Sequence, residues 1–227
     1  VLHELKHQLH LDCSTVTGET LGDWLSEKPK WVDRDVVREF NNPYQKEGGL
    51  IALFGTLAPT GAILKRAAAD ADLFERTGRA VVFESLEDLS DRIDSDDLDV
   101  SPNDFLLLKN AGPKSKSCMP EAGYLPIPKK LAAKGVKDMV RISDARMSGT
   151  AFGTVVLHVS PDAASGGNLA FVQNGDEIRL SVKDKKLDLL ISEQELNLRK
   201  QGWKMPETPD RDYARLYYET VTQAPLG

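Results

Sequence analysis

Two stretches of the chain gather turn-forming residues around groups able to bind a cation or move a proton. One runs Lys109-Asn110-Ala111-Gly112-Pro113-Lys114 and continues to Cys118-Met119-Pro120-Glu121-Ala122-Gly123. The other is Ser143-Asp144-Ala145-Arg146-Met147-Ser148-Gly149-Thr150. Both lie next to short apolar runs of strand type, and loops set on a rigid strand scaffold are where functional groups collect. Each residue also has a plain reading. Glu121 has the reading of a solvated charge as well as that of a metal ligand. Ser148-Gly149-Thr150 is a turn by composition, with local hydrogen bonds and permissive dihedrals. Asp144 and Arg146, two residues apart, read as a local ion pair. The residues by themselves define a candidate cleft and no reaction. His3 and His7 are four apart on an amphipathic stretch but have no third ligand in view, so they read as a solvated face. His158 sits within a strand pattern and reads as structural.

The elements that must hold these loops are mostly strands. Apolar runs with β-branched or aromatic content occur at 50–54, 80–83, 105–108, 139–142, 154–159, 169–172, 178–182 and 187–191, bounded by turn formers. Helices punctuate them. Ser85 caps a stretch through residue 93, residues 128–134 stop at Gly135, and Ser192-Glu193-Gln194-Glu195 spells a capping box for a helix through Lys200. A last helix spans about 210–221. Strands that outnumber helices and do not alternate with them argue against a doubly wound sheet. They predict a mixed α/β, β-rich domain, a compact β-barrel or sandwich flanked by helices. Upstream, Leu2, Leu5, Leu9 and Leu11 have helical spacing, and Leu21, Trp24 and Leu25 form a second short amphipathic stretch. A polar passage with Pro29, Asn41, Asn42 and Pro43 then reads as a linker. The expected division is therefore residues 1–30 as the tail of a preceding domain and 31–227 as the barrel domain, with Val1 opening a fragment.

Composition narrows the class. A net charge of −6 is the wrong sign for a general nucleic-acid binder, which needs a basic face to displace counterions. No apolar run approaches the ~20 residues that span a bilayer. Two cysteines, Cys13 and Cys118, are too few for a disulfide framework, which points to a reducing, cytoplasmic setting. They are also too few to complete a metal-cluster site of three or four thiolates.

The motif Asp-Ala-Arg-Met-Ser-Gly-Thr at 144–150 resembles the signature near the C-terminus of the dihydroxy-acid and sugar-acid dehydratases. Other segments agree in order and spacing. His10-Leu11-Asp12 with Thr15-Val16-Thr17-Gly18-Glu19-Thr20-Leu21 is similar to the family's interdomain junction. Gly48-Gly49-Leu50 and Gly55-Thr56-Leu57-Ala58-Pro59 resemble the opening of its C-terminal domain. Asn110 to Pro113, Met119-Pro120-Glu121 and His158-Val159-Ser160-Pro161 complete the match. Leu125-Pro126-Ile127-Pro128 and the ending from Tyr217-Tyr218 to Gln223 look more like the aldonate branch.

The resemblance implies a swivelling C-terminal barrel that covers a site built largely on its own N-terminal domain. It implies a hydro-lyase that removes water from a 2,3-dihydroxy acid through an enol, giving a 2-keto-3-deoxy acid. A two-iron two-sulfur (2Fe-2S) cluster, its ligands on the N-terminal domain, then acts on the leaving C3 oxygen, and a magnesium ion holds the carboxylate and C2 oxygen. By position Ser148 is the base, Glu121 a magnesium ligand, and Gly149 and Thr150 contacts to the substrate. A carboxylate oxygen suits a hard cation, while a serine hydroxyl needs nearby cations to favour its alkoxide. A homodimer or homotetramer is implied as well. The segment Lys114-Ser115-Lys116-Ser117-Cys118 departs from the family's glycine-rich stretch, where glycine permits positive φ, and this puts substrate fit in question. Two rivals stand beside the aldonate reading: the dihydroxy-acid dehydratase of branched-chain amino-acid synthesis, and a non-catalytic paralogue or binding module.

Overall fold

The computed structural model describes residues 1–27, 31–121, 125–146, 148 and 152–227, which fall into two units, Val1–Gly48 and Gly49–Gly227. In the first unit the leucine spacing at 2–11 does not produce the expected helix. That segment holds turns and one 3-10 helix, Lys6–Gln8, with no buried residue, so it lacks the packed apolar face from which short helices draw their stability. Its carbonyls close short turns instead, such as Leu5 O accepting the Gln8 N–H at 2.8 Å. At its end Leu11 O accepts the Gly22 N–H at 2.8 Å and Cys13 O the Leu21 N–H at 2.9 Å. These bonds seat the start of α1 (Leu21–Glu27), where Thr20 Oγ1 accepts the Asp23 N–H at 3.1 Å as an N-cap does.

The second unit is a mixed eight-stranded sheet. Its strands are β1 (Ile51–Leu53), β2 (Gly61–Leu64), β3 (Glu75–Phe83), β4 (Phe105–Leu108), β5 (Arg141–Ser143), β6 (Val155–Ser160), β7 (Glu177–Ser181) and β8 (Lys186–Leu189), in the order β1-β2-β6-β5-β4-β3-β7-β8. The central four, β3 to β6, pair in parallel and the outer pairings are antiparallel. The two edges nearly meet. Phe54 N–H donates to Lys185 O at 2.9 Å and Leu187 N–H to Phe54 O at 3.1 Å, so the sheet curls into an almost closed barrel and leaves little open edge. The helix-flanked barrel anticipated from the sequence is the fold.

Alternation on the central strands explains their continuous apolar character. Ala80, Val82, Phe105, Leu107 and Ile142 belong to one core, with Ile178, Leu180 and Leu187 of the antiparallel strands. Val81, Phe83, Leu106 and Leu108 face the opposite way into a second core. That second core is shared with α2 (Leu86–Arg92) through Leu89 and with α3 (Lys129–Ala132) through Leu131. Strands buried on both faces lose the period of two in their polarity. Ser85 caps α2 through the Asp88 N–H, and Ser192 caps α4 (Glu193–Gln201) through the Glu195 N–H. The Glu195 carboxylate is bonded to Arg199. The chain ends in α5 (Asp212–Thr220) and a 3-10 turn, Ala224–Leu226.

One expected strand is not a strand. The run at 169–172 lies in a 3-10 helix, Asn168–Phe171, whose N–H groups bond locally, Val172 N–H to Leu169 O at 3.3 Å among them. Gly167 N–H donates to Asp162 O at 3.0 Å and Ala170 N–H to Gly167 O at 2.9 Å. The strand that takes its place in the count is β2. Gly61 and Ala62 make it a poor strand by propensity, and its pairing with β1 and β6 on either side makes it one.

Gly78 on β3 marks a close approach. A Cβ there would come 2.3 Å from Phe105 Cδ1 and 2.7 Å from Asn103 O, and the Phe105 ring is buried in the core. Gly78→Ala is expected to destabilise the protein by about 1–3 kcal/mol through overpacking. Thermal unfolding checks this, and an unchanged Tm would contradict the packing described.

Candidate active site

The two loops singled out by sequence are joined edge to edge. Glu121 and Arg146 form a parallel β-bridge, with Arg146 N–H donating to Pro120 O at 3.3 Å. Arg146 also donates from Nε to Met119 O and from Nη1 to Glu121 Oε1, both at 3.1 Å. The expected Asp144–Arg146 ion pair is therefore replaced by a long-range one, Glu121–Arg146, with each side chain about half exposed.

Asp144 turns the other way, into the protein. It is fully buried, and its carboxylate accepts the Ala111 N–H at 3.0 Å and the Ala163 N–H at 2.9 Å. Burial pushes this carboxyl up to about 7. The two N–H donors oppose that rise and the neighbouring Asp162 charge adds to it.

The departing segment 114–118 has a defined fold of its own. Cys118 and Met119 have φ of 53° and 56°, the left-handed region in which glycine carries no Cβ penalty, so the backbone keeps a glycine-like path with other residues. Ser115 Oγ donates to Gly112 O at 2.7 Å and Ser117 Oγ to Asn110 O at 3.0 Å. Lys114 sends its ammonium to the Tyr218 carbonyl on α5, 4.7 Å from the centre of that tyrosine's ring. Its charge is thereby taken up by the C-terminal helix.

Ser148 lines an open hollow of about 430 Å³ together with Leu50, Ile63, Lys65, Leu157 and His158. Gly149 and Thr150 lie outside the described residues. Lys65 and His158 are the two groups of this hollow that sequence reasoning did not place there. Lys65 follows β2, the strand the pattern missed. His158 is brought in by a β-bulge: opposite β2 the register shifts between Gly61↔Ser160 and Ile63↔Leu157, and His158 has a φ of 57°. Bulges re-aim side chains in this way. The His158 N–H donates to Ala145 O at 2.9 Å, which ties β6 to the serine segment. Burial and the Arg146 charge hold the imidazole below its usual pKa, so it is neutral at neutral pH.

Glu121 offers a carboxylate oxygen of the right chemistry for a hard cation. Among the described residues no group of three or more His, Cys, Asp or Glu side chains could close a metal site. The described residues thus offer the Glu121 carboxylate, already paired with Arg146, and no closed metal site. Cys13 and Cys118 are both exposed, and two thiolates are too few to hold an iron–sulfur cluster. No helix among the described residues is long and apolar enough to cross a membrane.

A nearly closed, helix-flanked barrel with a serine-bearing loop zipped to a glutamate-bearing loop defines the class. The chain belongs to the dihydroxy-acid/6-phosphogluconate dehydratase C-terminal family, whose model matches residues 35–227. It is 46% identical over 220 residues to the L-arabinonate dehydratase of Rhizobium leguminosarum bv. trifolii (strain WSM2304), covering 96% of this chain and 38% of that protein. It is 43% identical over 232 residues to the 6-deoxy-6-sulfo-D-gluconate dehydratase of Pseudomonas putida, covering 100% and 40%. Against the dihydroxy-acid dehydratase of Arthrobacter sp. (strain FB24) the identity is 38% over 226 residues, covering 96% and 38%. The chain thus spans about two fifths of the length of these relatives.

Proposed function

We propose that this chain is the C-terminal part of a hydro-lyase that dehydrates a sugar acid, an aldonate such as a pentonate or hexonate, to a 2-keto-3-deoxy acid. The observation that carries the reading is Ser148 in a hollow shared with a lysine, on a segment bridged through Arg146 to Glu121. In this reading Ser148 Oγ takes the C2 proton. The electron pair left behind forms the C2=C3 bond, the C3 hydroxyl departs with its bonding pair and takes up the proton held by Ser148 to leave as water, and the enol tautomerises to the keto acid. The positive charge of Lys65 in the same hollow favours the alkoxide form of the serine. Bound magnesium, with Glu121 among its ligands, would stabilise the charge developing on the substrate carboxylate and C2 oxygen. The iron–sulfur cluster belongs to the preceding domain, which is the chain's first partner, in a cytoplasmic homodimer or homotetramer. The relatives named for sugar acids are more similar to this chain, at 46% and 43% identity, than the dihydroxy-acid dehydratase at 38%, which favours an aldonate.

The test is keto-acid release by the full-length protein on a panel of pentonates, hexonates, 6-phosphogluconate and 2,3-dihydroxyisovalerate. Release is expected from an aldonate, and none is expected from the 227-residue chain alone, even when iron and sulfide are supplied. Fastest turnover of 2,3-dihydroxyisovalerate would move the reading to branched-chain synthesis. No release from any substrate by the metal-loaded protein would favour a non-catalytic module.

A further inference from the structure

Asp144 and Asp162 are buried carboxylates, both without solvent exposure, and they converge beneath one glycine. A Cβ on Gly112 would lie 2.4 Å from Asp162 Cβ, 2.8 Å from Asp162 Oδ2 and 3.0 Å from Asp144 Oδ2, so only a bare backbone passes over the pair. Between them they collect backbone N–H groups from separate segments. Asp144 takes Ala111 and Ala163, at 3.0 and 2.9 Å. Asp162 takes Lys114 at 2.7 Å and Ser165 at 2.9 Å. The C-terminal segment joins through Gln223, whose Oε1 accepts the Asp162 N–H at 2.8 Å and whose Nε2 donates to Asp162 Oδ1 at 3.2 Å. Neither carboxylate enters the hollow, and neither has a part in the proton transfer.

Two of these bonds end on the loop between β4 and α3. Ala111 and Lys114 belong to the loop that carries Glu121, and Asp144 itself begins the segment that carries Ser148. We propose that Asp144 is a positioning residue, which with Asp162 beneath Gly112 fixes the Glu121 loop against the Ser148 segment and so sets the catalytic geometry. This rests on the dehydratase reading for its catalytic consequence. The tie between the loops does not depend on that reading. A carboxylate is suited to the task because it accepts on both oxygens, whereas an amide of the same shape must turn a donor toward one of the two N–H groups. Small displacements of reacting groups are costly in rate, so the effect should fall on kcat.

The experiment compares Asp144→Asn with Ile178→Val, a core substitution in the antiparallel part of the barrel, both in the full-length protein. Asp144→Asn is expected to lower kcat by about tenfold to a hundredfold with KM changed less than about threefold. Ile178→Val should leave kcat as it is. Amide hydrogen exchange over 110–121 and 144–148 should quicken in Asp144→Asn and not in Ile178→Val. If Asp144→Asn does not fold, Gly112→Ala keeps both carboxylates, lifts the loop off them, and should give the same kcat loss and faster exchange. Unchanged kcat in the folded Asp144→Asn enzyme, or an equal loss in Ile178→Val, would overturn the positioning role. Unchanged exchange would overturn the tie itself. A wild-type protein that dehydrates nothing while its exchange responds as expected would count against the dehydratase reading and leave the tie supported.

Discussion

Ser148→Ala in the full-length protein is expected to lower keto-acid release by about 10²–10⁴-fold while leaving Tm, iron content and magnesium affinity as they were. Ser148 stands on a loop at the wall of an open hollow, outside both hydrophobic cores, so deleting its hydroxyl removes no packing. What it removes in the proposed reaction is the atom that accepts the C2 proton. Lys65 in the same hollow cannot replace it while protonated, and a neutral His158 could recover part of the loss. The measurement is steady-state turnover with the metals assayed in the same sample. Near-wild-type turnover with cofactors intact would place the base elsewhere.

Glu121→Gln carries the second large effect. Loss of an outer-shell partner already costs roughly tenfold to a hundredfold in metal affinity, so loss of a ligand is expected to cost at least as much, with turnover falling alongside. Stability should barely change. The Glu121–Arg146 pair is about half exposed on both sides, and such pairs are worth about 0–1 kcal/mol. Magnesium titration of the full-length variant decides between the two roles. Unchanged affinity would leave Glu121 as a surface partner of Arg146 and nothing more.

How much of this was legible in the sequence follows from the range of each interaction. The run 105–108 is apolar at every position because β4 is buried on both faces, and it read correctly as a strand. β2 did not, since Gly61-Ala62 gives no strand signal and its pairing partners, β1 and β6, supply the reason for its form. Lys65 was missed with it. The bulge at His158 leaves no mark either, because its left-handed φ falls on a residue that is not glycine. Asp144 looked like the partner of Arg146, two residues away. Its real partners are backbone N–H groups 33 and 19 residues distant, and a backbone donor has no side-chain signature. Ser148 and Glu121 were recognisable only through the resemblance. From their own spacing they were a turn and a surface charge.

The most direct test of the account follows the C2 hydrogen. The full-length protein, loaded with its metals, is given an aldonate carrying deuterium at C2, and deuterium release to water is measured beside keto-acid formation. The account predicts that the wild type releases C2 deuterium as product forms, and that Ser148→Ala retains it in the substrate. Release of C2 deuterium by Ser148→Ala at the wild-type rate would contradict the account.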